Sequence, residues 1–264
     1  MVAGRCPYNR ARRTMAGPLI AVALLFGAQG AAAQDSEVKE GLIDPRAESR
    51  LQELSDFLGS VRTLSFTADS FFDEIEESGV KIKRFIIHDI VLKRPDRLYF
   101  KSTFDDGGTR EGRYNGKKLI VAAPGMNSYV EIEAPGNVDA LLDFVQEEHG
   151  LSVPVSDLLY SNLAATHSEH LLSGVYLGQR SLRGTTLDHL SFESVGADWQ
   201  VWMDAGEPPV PRRIVITFVG TEGEPEYMAT LRDWKFDQAV SDNVFEFEPP
   251  ADWKRLEPPK SDAE

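Results

Sequence analysis

The sequence is poor in cysteine, with Cys6 as the single thiol in 264 residues. Cys6 precedes a short apolar run at residues 18–28, so the chain beyond that run has no thiol. This absence excludes a disulfide framework, a cysteine-based zinc site and a cysteine nucleophile from that part of the chain. It also leaves no cysteine there for a lipid anchor. We therefore expect a fold that is stabilised by its core alone.

Long hydrophobic runs are also missing. The run at residues 18–28 is too short to span a bilayer, which takes about 20 apolar residues. Small residues at 31–33 follow the run, and four basic residues precede it: Arg5, Arg10, Arg12 and Arg13. This order is typical of an export signal, so we predict a signal peptide at residues 1–33, cleaved before Gln34, and a periplasmic location. An uncleaved anchor and the twin-arginine export route, indicated by the pair at 12–13, are the alternatives.

Positive charge is scarce. The chain has 28 basic and 42 acidic residues, for a net charge of −14. Removal of residues 1–33 takes away four arginines and no acid, which leaves a net charge of −18. A surface this acidic repels nucleic acid and anionic lipid headgroups. We therefore predict no nucleic-acid partner. Because no apolar run is long enough to span a bilayer, we also predict no transmembrane segment after the signal peptide.

Recognisable catalytic motifs are absent as well. The sequence has no G-x-S-x-G elbow and no glycine-rich phosphate loop followed by a helix. His167 and His170 are spaced so that a helix would turn both towards one metal ion, but no third ligand is identifiable and a solvated loop pair is the simpler interpretation. We predict no catalytic residue, no metal and no cofactor, and keep an unrecognised hydrolase as an alternative.

A two-residue period of apolar side chains dominates the sequence between residues 64 and 236. The clearest case is the hairpin at residues 198–218, where Trp199, Val201 and Met203 alternate with polar residues before a proline-rich turn. Turn signals at residues 105–108 and 115–116 supply glycines that tolerate positive φ. Short connections make neighbouring strands antiparallel. This pattern predicts about ten or eleven strands, the last of them at residues 245–250.

Two stretches have the period of a helix instead. A leading helix begins at Asp44-Pro45, with an acidic cap and proline at the first helical position, and ends near Gly59. A helical insert covers residues 137–165 and is a candidate lid. We predict a flexible leader at residues 34–43, one domain at residues 44–253 and a disordered tail at residues 254–264.

The fold class predicted from this order is α+β, mainly antiparallel β. A half-open β-barrel would have its concave face covered by the leading helix and the insert. Side chains predicted to line a cavity on the strands are Phe66, Phe72, Leu98, Phe100, Val130, Ile132, Leu190, Phe192, Trp199, Val201, Ile214, Ile216 and Phe218. Those predicted to cover it are Leu141, Leu142, Val145, Leu158 and Leu159. An ordinary packed core is the alternative for every one of them.

Residues near the proline turn have a second possible role. Arg212 and Arg213 would contact a carboxylate or phosphate headgroup at the cavity mouth, or else form a solvated strand start. Trp202 and Trp234 are expected on the outer face of the sheet, where they would mark a partner surface.

Several motifs resemble one protein family. They are D-P-R-A at 44–47, Y-N-G-K at 114–117, A-P-G at 134–136, L-x-V-P-x-x-D-L-L at 151–159, W-Q-V-W at 199–202, P-R-R-I-V-I-T at 211–217 and F-E-F-x-P-P at 245–250. Together they resemble the DUF2092 family of predicted periplasmic proteins over residues 44–250. More remotely, the chain is similar to the lipoprotein-carrier (LolA/LolB-like) superfamily. The motifs consist of turn, proline and core residues, so no functional residue is transferred from them one by one.

The resemblance implies an incomplete antiparallel barrel with helices over its open side and an apolar cavity between them. The receptor members of that superfamily carry a lipid-anchored cysteine, which is missing here after residue 33, so the resemblance favours the soluble-carrier type. It implies a monomeric, non-enzymatic periplasmic protein that binds a lipid-like or acyl ligand, or a lipidated protein. The alternative is an envelope protein that binds or senses a protein partner and has no small-molecule ligand.

Overall fold

The computed structural model describes residues 43–259 apart from Glu77, Pro154, Glu169 and Arg183. The predicted signal peptide and nearly all of the predicted leader lie outside these residues. The helices are α1 Pro45–Ser60, α2 Val138–His149 and α3 Leu163–Ser168, with 3-10 turns at Pro124–Met126, Ser156–Leu158 and Asp242–Phe245. The strands are β1 Thr63–Ile75, β2 Lys81–Lys93, β3 Arg97–Phe104, β4 Thr109–Tyr114, β5 Lys118–Ala123, β6 Ser128–Glu133, β7 Leu171–Leu182, β8 Thr185–Ser194, β9 Ala197–Asp204, β10 Pro211–Phe218, β11 Glu226–Phe236 and β12 Lys254–Leu256.

These strands form one open sheet in the order β12-β6-β5-β4-β3-β2-β1-β11-β10-β9-β8-β7. Neighbours pair antiparallel throughout, except that β12 runs parallel to β6. The sheet therefore has two edges, at β12 and β7. The predicted α+β class with a mainly antiparallel, incompletely closed sheet is confirmed, and the described residues contain twelve strands.

Helix α1 forms where the sequence predicts it. The Asp44 side chain accepts a hydrogen bond from the Arg46 N–H at 2.9 Å, and Pro45 occupies the first helical position. Its apolar stripe, which includes Leu51, Leu54 and Leu58, is buried against the sheet. The face of the sheet that meets α1 and residues 138–168, called the insert below, is its inner face.

One irregularity in β11 changes which side chains reach the inner face. Between β1 and β11 the register shifts by one residue, and Asp233 adopts a positive φ of 57°. This bulge turns Trp234 inward, where it stacks on Phe66 with ring centroids 4.2 Å apart. The expectation that Trp234 lies on the outer face is therefore wrong.

The end of the chain also differs from the prediction. No strand forms at residues 245–250, because two prolines there cannot donate to a ladder. Phe245 is instead buried at the end of a 3-10 turn. The Lys254 N–H then donates to the Asn127 carbonyl at 2.8 Å, and β12 pairs with β6. The predicted disordered tail thus begins too early, since residues 254–256 are part of the sheet.

The second helix of the insert is interrupted. The sequence predicts a helical insert at residues 137–165, with a second short helix near residues 156–165, but there the structure has a 3-10 turn, then an irregular stretch, then α3. Carbonyls in the irregular stretch accept hydrogen bonds from Arg94 rather than from a helix. Among the described residues no helix is long and apolar enough to cross a membrane.

Candidate functional site

An apolar cavity of about 90 Å³ lies between α1, the insert, and strands β9 and β10. Each of these three parts contributes side chains to it. The lining residues are Leu51, Leu54, Asp157, Leu158, Leu163, Ser194, Ala197, Trp199, Val201, Ile214 and Ile216. All but Asp157 and Ser194 are apolar, so the cavity suits a hydrocarbon group.

One wall of the cavity is built from two cross-strand pairs of β9 and β10. Val201 lies opposite Ile214, and Trp199 lies opposite Ile216. Val201 is buried, whereas the other three side chains are only half-buried although they face inward. Residues that follow each other at two-residue spacing on neighbouring strands share a face, which explains why these four side chains meet. The wall is therefore an inner-face surface that the helices cover incompletely.

The polar groups at the cavity are few. The indole N–H of Trp199 donates to the Ser194 hydroxyl oxygen at 3.0 Å, and Trp199 also stacks on Phe192 with centroids 4.3 Å apart. These two contacts fix the indole against the end of β8. Asp157 is the other polar lining residue, and it comes from the 3-10 turn of the insert.

The structure brings only part of the predicted cavity set to the cavity. Five predicted residues line it: Leu158, Trp199, Val201, Ile214 and Ile216. The others fill the core between sheet and helices, and each is buried: Phe66, Phe72, Leu98, Phe100, Val130, Ile132, Leu141, Leu142, Val145, Leu159, Leu190 and Phe192. Phe218 is half-buried and does not line the cavity. The twelve buried residues are therefore part of the packed core, which was the alternative interpretation for each of them.

Sequence reasoning also missed lining residues. Leu51 and Leu54 come from α1, Leu163 from α3, and Ala197 from the start of β9. Leu51 and Leu54 belong to the buried apolar stripe of α1, but the period of such a stripe does not show which strands it meets. The small side chain of Ala197, next to Ser194 at the β8–β9 turn, leaves room at this end of the cavity.

Arg212 and Arg213 do not line the cavity. The Arg212 guanidinium donates to both carboxylate oxygens of Asp204, at 2.9 and 2.6 Å. Arg213 lies opposite Trp202 on β9 and alternates with the inward-facing Ile214, so it belongs to the outer face. Arg212 thus has an ionic partner within the chain, and contact of either arginine with a ligand headgroup stays a prediction beside the alternative of a solvated strand start.

Helix α1 is held over the cavity by a buried ion pair. Arg50 Nε approaches Asp188 Oδ2 to 2.9 Å, without the angle of a hydrogen bond. The other carboxylate oxygen of Asp188 accepts a hydrogen bond from the Tyr176 hydroxyl at 2.8 Å. Arg50 Nη2 also donates to the Asp204 carbonyl at 2.9 Å. These contacts join α1 to β7, β8 and β9 beside the cavity.

The insert is held by a second arginine. Arg94 donates to the carbonyls of Leu159 and Tyr160, each at 3.0 Å, and to the carbonyl of Leu58 in α1 at 3.4 Å. Burial lowers the pKa of this guanidinium. The Ser161 N–H donates to the Asp139 carboxylate at 3.1 Å. The middle of the insert is thereby tied to both α1 and α2.

A buried polar pair lies elsewhere on the inner face. His88 Nδ1 and the Ser102 hydroxyl are 2.8 Å apart, and burial lowers the pKa of His88 to about 4. The two residues are 6% and 4% exposed and do not line the cavity. In the described part of the chain no group of three or more His, Cys, Asp or Glu residues could hold a metal ion. The side chain of His167 lies outside the described residues.

Solved structures with a similar architecture include lipoprotein LppX of Mycobacterium tuberculosis, at 12% identity over 75% of this chain and 98% of that chain, with a TM-score of 0.46. LprF of Mycobacterium bovis matches at 12% identity over 81% of this chain and 100% of that chain, with a TM-score of 0.41. A LolA superfamily protein of Nitrosomonas europaea matches at 10% identity over 76% and 97%, with a TM-score of 0.35.

Among curated proteins, no sequence matches this chain. The family profile described as "Predicted periplasmic protein (DUF2092)" matches residues 47–257, from the first turn of α1 to the residue after β12. That range includes every residue that lines the cavity. The chain therefore belongs to the DUF2092 family of predicted periplasmic proteins.

Proposed function

We propose that this protein is an exported periplasmic carrier that holds the acyl or other lipid-like part of a ligand, or of a lipidated protein, in the cavity under α1. The observation that carries the proposal is the half-buried apolar wall formed by Trp199, Ile214 and Ile216 on the inner face of the sheet. Apolar side chains left partly uncovered beside a cavity favour an apolar ligand. No covalent chemistry is part of the proposal.

The driving force is burial of methylene groups, at about 0.8 kcal/mol each. A cavity of about 90 Å³ is smaller than the roughly 300–1,000 Å³ of a pocket that encloses a drug-sized ligand. The cavity in this form therefore takes a short stretch of hydrocarbon. A longer chain requires Leu158 and Leu163, which cover the cavity from the insert, to move away from β9 and β10.

The polar end of the ligand stays outside the cavity. Neither Arg212 nor Arg213 lines it, and the Ser194 hydroxyl already accepts a hydrogen bond from Trp199. Affinity therefore depends on the apolar chain. For the location, residues 1–33 act as a cleaved export signal in this proposal, which agrees with the description of the family.

The first experiment looks for a ligand directly. The protein is purified from its periplasmic location, extracted with organic solvent and analysed by mass spectrometry, and the extracted protein is titrated with a fluorescent acyl probe. We expect a co-purifying lipid-like compound, and saturable probe binding that this compound displaces. An extract free of lipid, together with no saturable binding of the probe, contradicts the proposal.

A matched pair of variants locates the binding site. Ile216→Trp fills the cavity, whereas Thr217→Trp adds the same side chain at the next residue, on the other face of β10. We expect at least about tenfold weaker probe binding for Ile216→Trp, since losing two buried methylenes already costs about 1.6 kcal/mol. Thr217→Trp should bind as the unsubstituted protein does. Equal binding by all three proteins would place the ligand elsewhere.

A further inference from the structure

Apolar side chains form a row across the outer face of the sheet, on the side away from the cavity. Phe85, Phe71, Met228 and Val215 are successive cross-strand partners on β2, β1, β11 and β10. Each alternates with neighbours that point inward, so all four point outward. The rings of Phe71 and Phe85 lie 4.9 Å apart, and Phe71 is 39% exposed. These four residues are called the outer row.

Acidic side chains run beside the outer row. Thr217 is two residues from Val215 on β10, and it lies opposite Glu226 on β11 and opposite Asp198 on β9. Asp198 in turn lies opposite Glu193 on β8. Glu226, Asp198 and Glu193 are called the acidic row. Within it Glu226 is already paired with Lys83 of β2, whose Nζ lies 3.5 Å from a Glu226 carboxylate oxygen. Like charges directly opposite each other destabilise a sheet. Burial raises the pKa of the Asp198 carboxyl, and the negative charges of Glu193 and Glu224 raise it further.

Another part of the outer face is covered by the chain itself. The outward side chains Tyr99 on β3, Arg113 on β4 and Tyr129 on β6 lie beside the segment that follows β11. Phe247 lies 6.2 Å from the Tyr129 ring, and the Arg113 guanidinium sits over both the Tyr99 and Phe247 rings at 5.0 and 5.5 Å. The side chains of the outer row also point outward, and Phe71 among them is exposed. Exposed apolar patches edged by charged residues are typical of protein interaction sites.

We propose that the outer row and the acidic row together dock a protein segment in which apolar side chains are flanked by lysine or arginine. The apolar side chains of the partner would cover Phe71 and its neighbours, and its cations would relieve the repulsion between Glu193 and Asp198. A membrane surface with anionic headgroups has the opposite charge pattern and is repelled by the acidic row. This inference goes beyond the carrier function and does not depend on it.

The probe is a labelled amphipathic peptide of leucine and lysine with helical spacing, and binding is followed by fluorescence anisotropy. Two control peptides are a version with glutamate in place of lysine and a version of the same composition in scrambled order. We expect the leucine–lysine peptide to bind at least about tenfold more tightly than either control, because the site needs both cations and an ordered apolar face.

Protein variants test the surface itself. Phe71→Ser and Asp198→Asn should each weaken binding of the leucine–lysine peptide about five- to tenfold. Met126→Ser and Glu248→Gln are matched controls: each removes an exposed apolar or acidic side chain at a turn or segment beside β6. Both should bind as the parent does. Circular dichroism and thermal melting confirm that every variant is folded, and Asp198→Asn remains informative if Phe71→Ser is not.

Three results would overturn the proposal. The first is equal weakening by Glu248→Gln and Asp198→Asn with no effect of Phe71→Ser, which would mean attraction to an acidic surface in general. The second is binding to vesicles of anionic phospholipid that Phe71→Ser abolishes, which would make the row a membrane contact. The third is a dimer by light scattering that Phe71→Ser converts to monomer, which would make the row an interface between copies of this chain.

Discussion

The buried imidazole of His88 makes the stability of this protein depend on pH in a window that the structure defines. His88 lies on the inner face of β2, is 6% exposed, and contacts the Ser102 hydroxyl at 2.8 Å. Burial disfavours the charged imidazolium and lowers the pKa from 6.5 to about 4. The folded protein thus keeps His88 neutral at a pH where the unfolded chain protonates it.

The sign of the effect follows from proton binding. Between the folded pKa of about 4 and the unfolded value of 6.5, the unfolded chain binds the proton and the folded protein does not. The free energy of unfolding therefore rises with pH through this window. The stability that His88 contributes is fully present above the unfolded pKa and is lost as the pH falls through the window. One pKa unit corresponds to 1.36 kcal/mol, so the difference is worth about 3 kcal/mol.

The assay is urea unfolding at a series of pH values from about 4 to about 8, compared between the parent protein and His88→Gln. Glutamine is uncharged and its amide can still reach Ser102. Carboxylates also titrate in this range, but they contribute equally to both proteins, so the difference between the two curves isolates His88. We expect the advantage of the parent to shrink by about 3 kcal/mol on acidification. Parallel curves over the whole range would refute the assignment of a neutral, buried imidazole.

Three further substitutions test what holds the helices over the sheet. Arg50→Met leaves the Asp188 carboxylate buried without its cation and should lower the free energy of unfolding by about 3–5 kcal/mol. The double variant Arg50→Met/Asp188→Leu should restore most of this loss. A single variant as stable as the parent would contradict the prediction. Arg94→Met frees the carbonyls it binds in the insert and should cost about 2–4 kcal/mol, with faster amide hydrogen exchange in residues 155–168; unchanged exchange would show that the insert is held otherwise. Gly59→Ala places a Cβ 2.3 Å from the Ser161 carbonyl oxygen, so it should destabilise by about 1–3 kcal/mol, whereas a gain in stability would show that the helix propensity of alanine outweighs the contact.

The hairpins near the middle of the chain show how far local sequence determines this fold. The turn signals at residues 105–108 and 115–116 lie where β3 joins β4 and where β4 joins β5. These turns contain Gly107 and Gly116 at positive φ, 83° and 86°. Glycine tolerates this conformation at no steric cost, so the turn residues and the two-residue period specify the same structure independently.

Features that depend on distant residues could not be predicted in this way. The bulge that turns Trp234 inward is centred on Asp233, and an aspartate with positive φ gives no sequence pattern of its own. The parallel pairing of β12 with β6 joins segments more than 100 residues apart, so no local period indicates it. For the cavity, the two-residue period of β9 and β10 identifies the inward side chains that form one wall. The opposite wall required knowing which face of α1 meets which strands.

The tethering of the insert limits how the cavity can enlarge. Residues 159 and 160 are bound by Arg94, which lies outside the insert, so the insert cannot swing away from the sheet as one rigid lid without breaking these hydrogen bonds. The part that precedes this tether begins at Val155, which has a positive φ of 50°. A β-branched residue in this conformation is strained, and a change of its backbone would relieve the strain. Because the 3-10 turn that follows supplies Asp157 and Leu158 to the cavity, movement of this short segment would open the Leu158 side of the cavity while the tether holds, and Leu163 would have to shift separately.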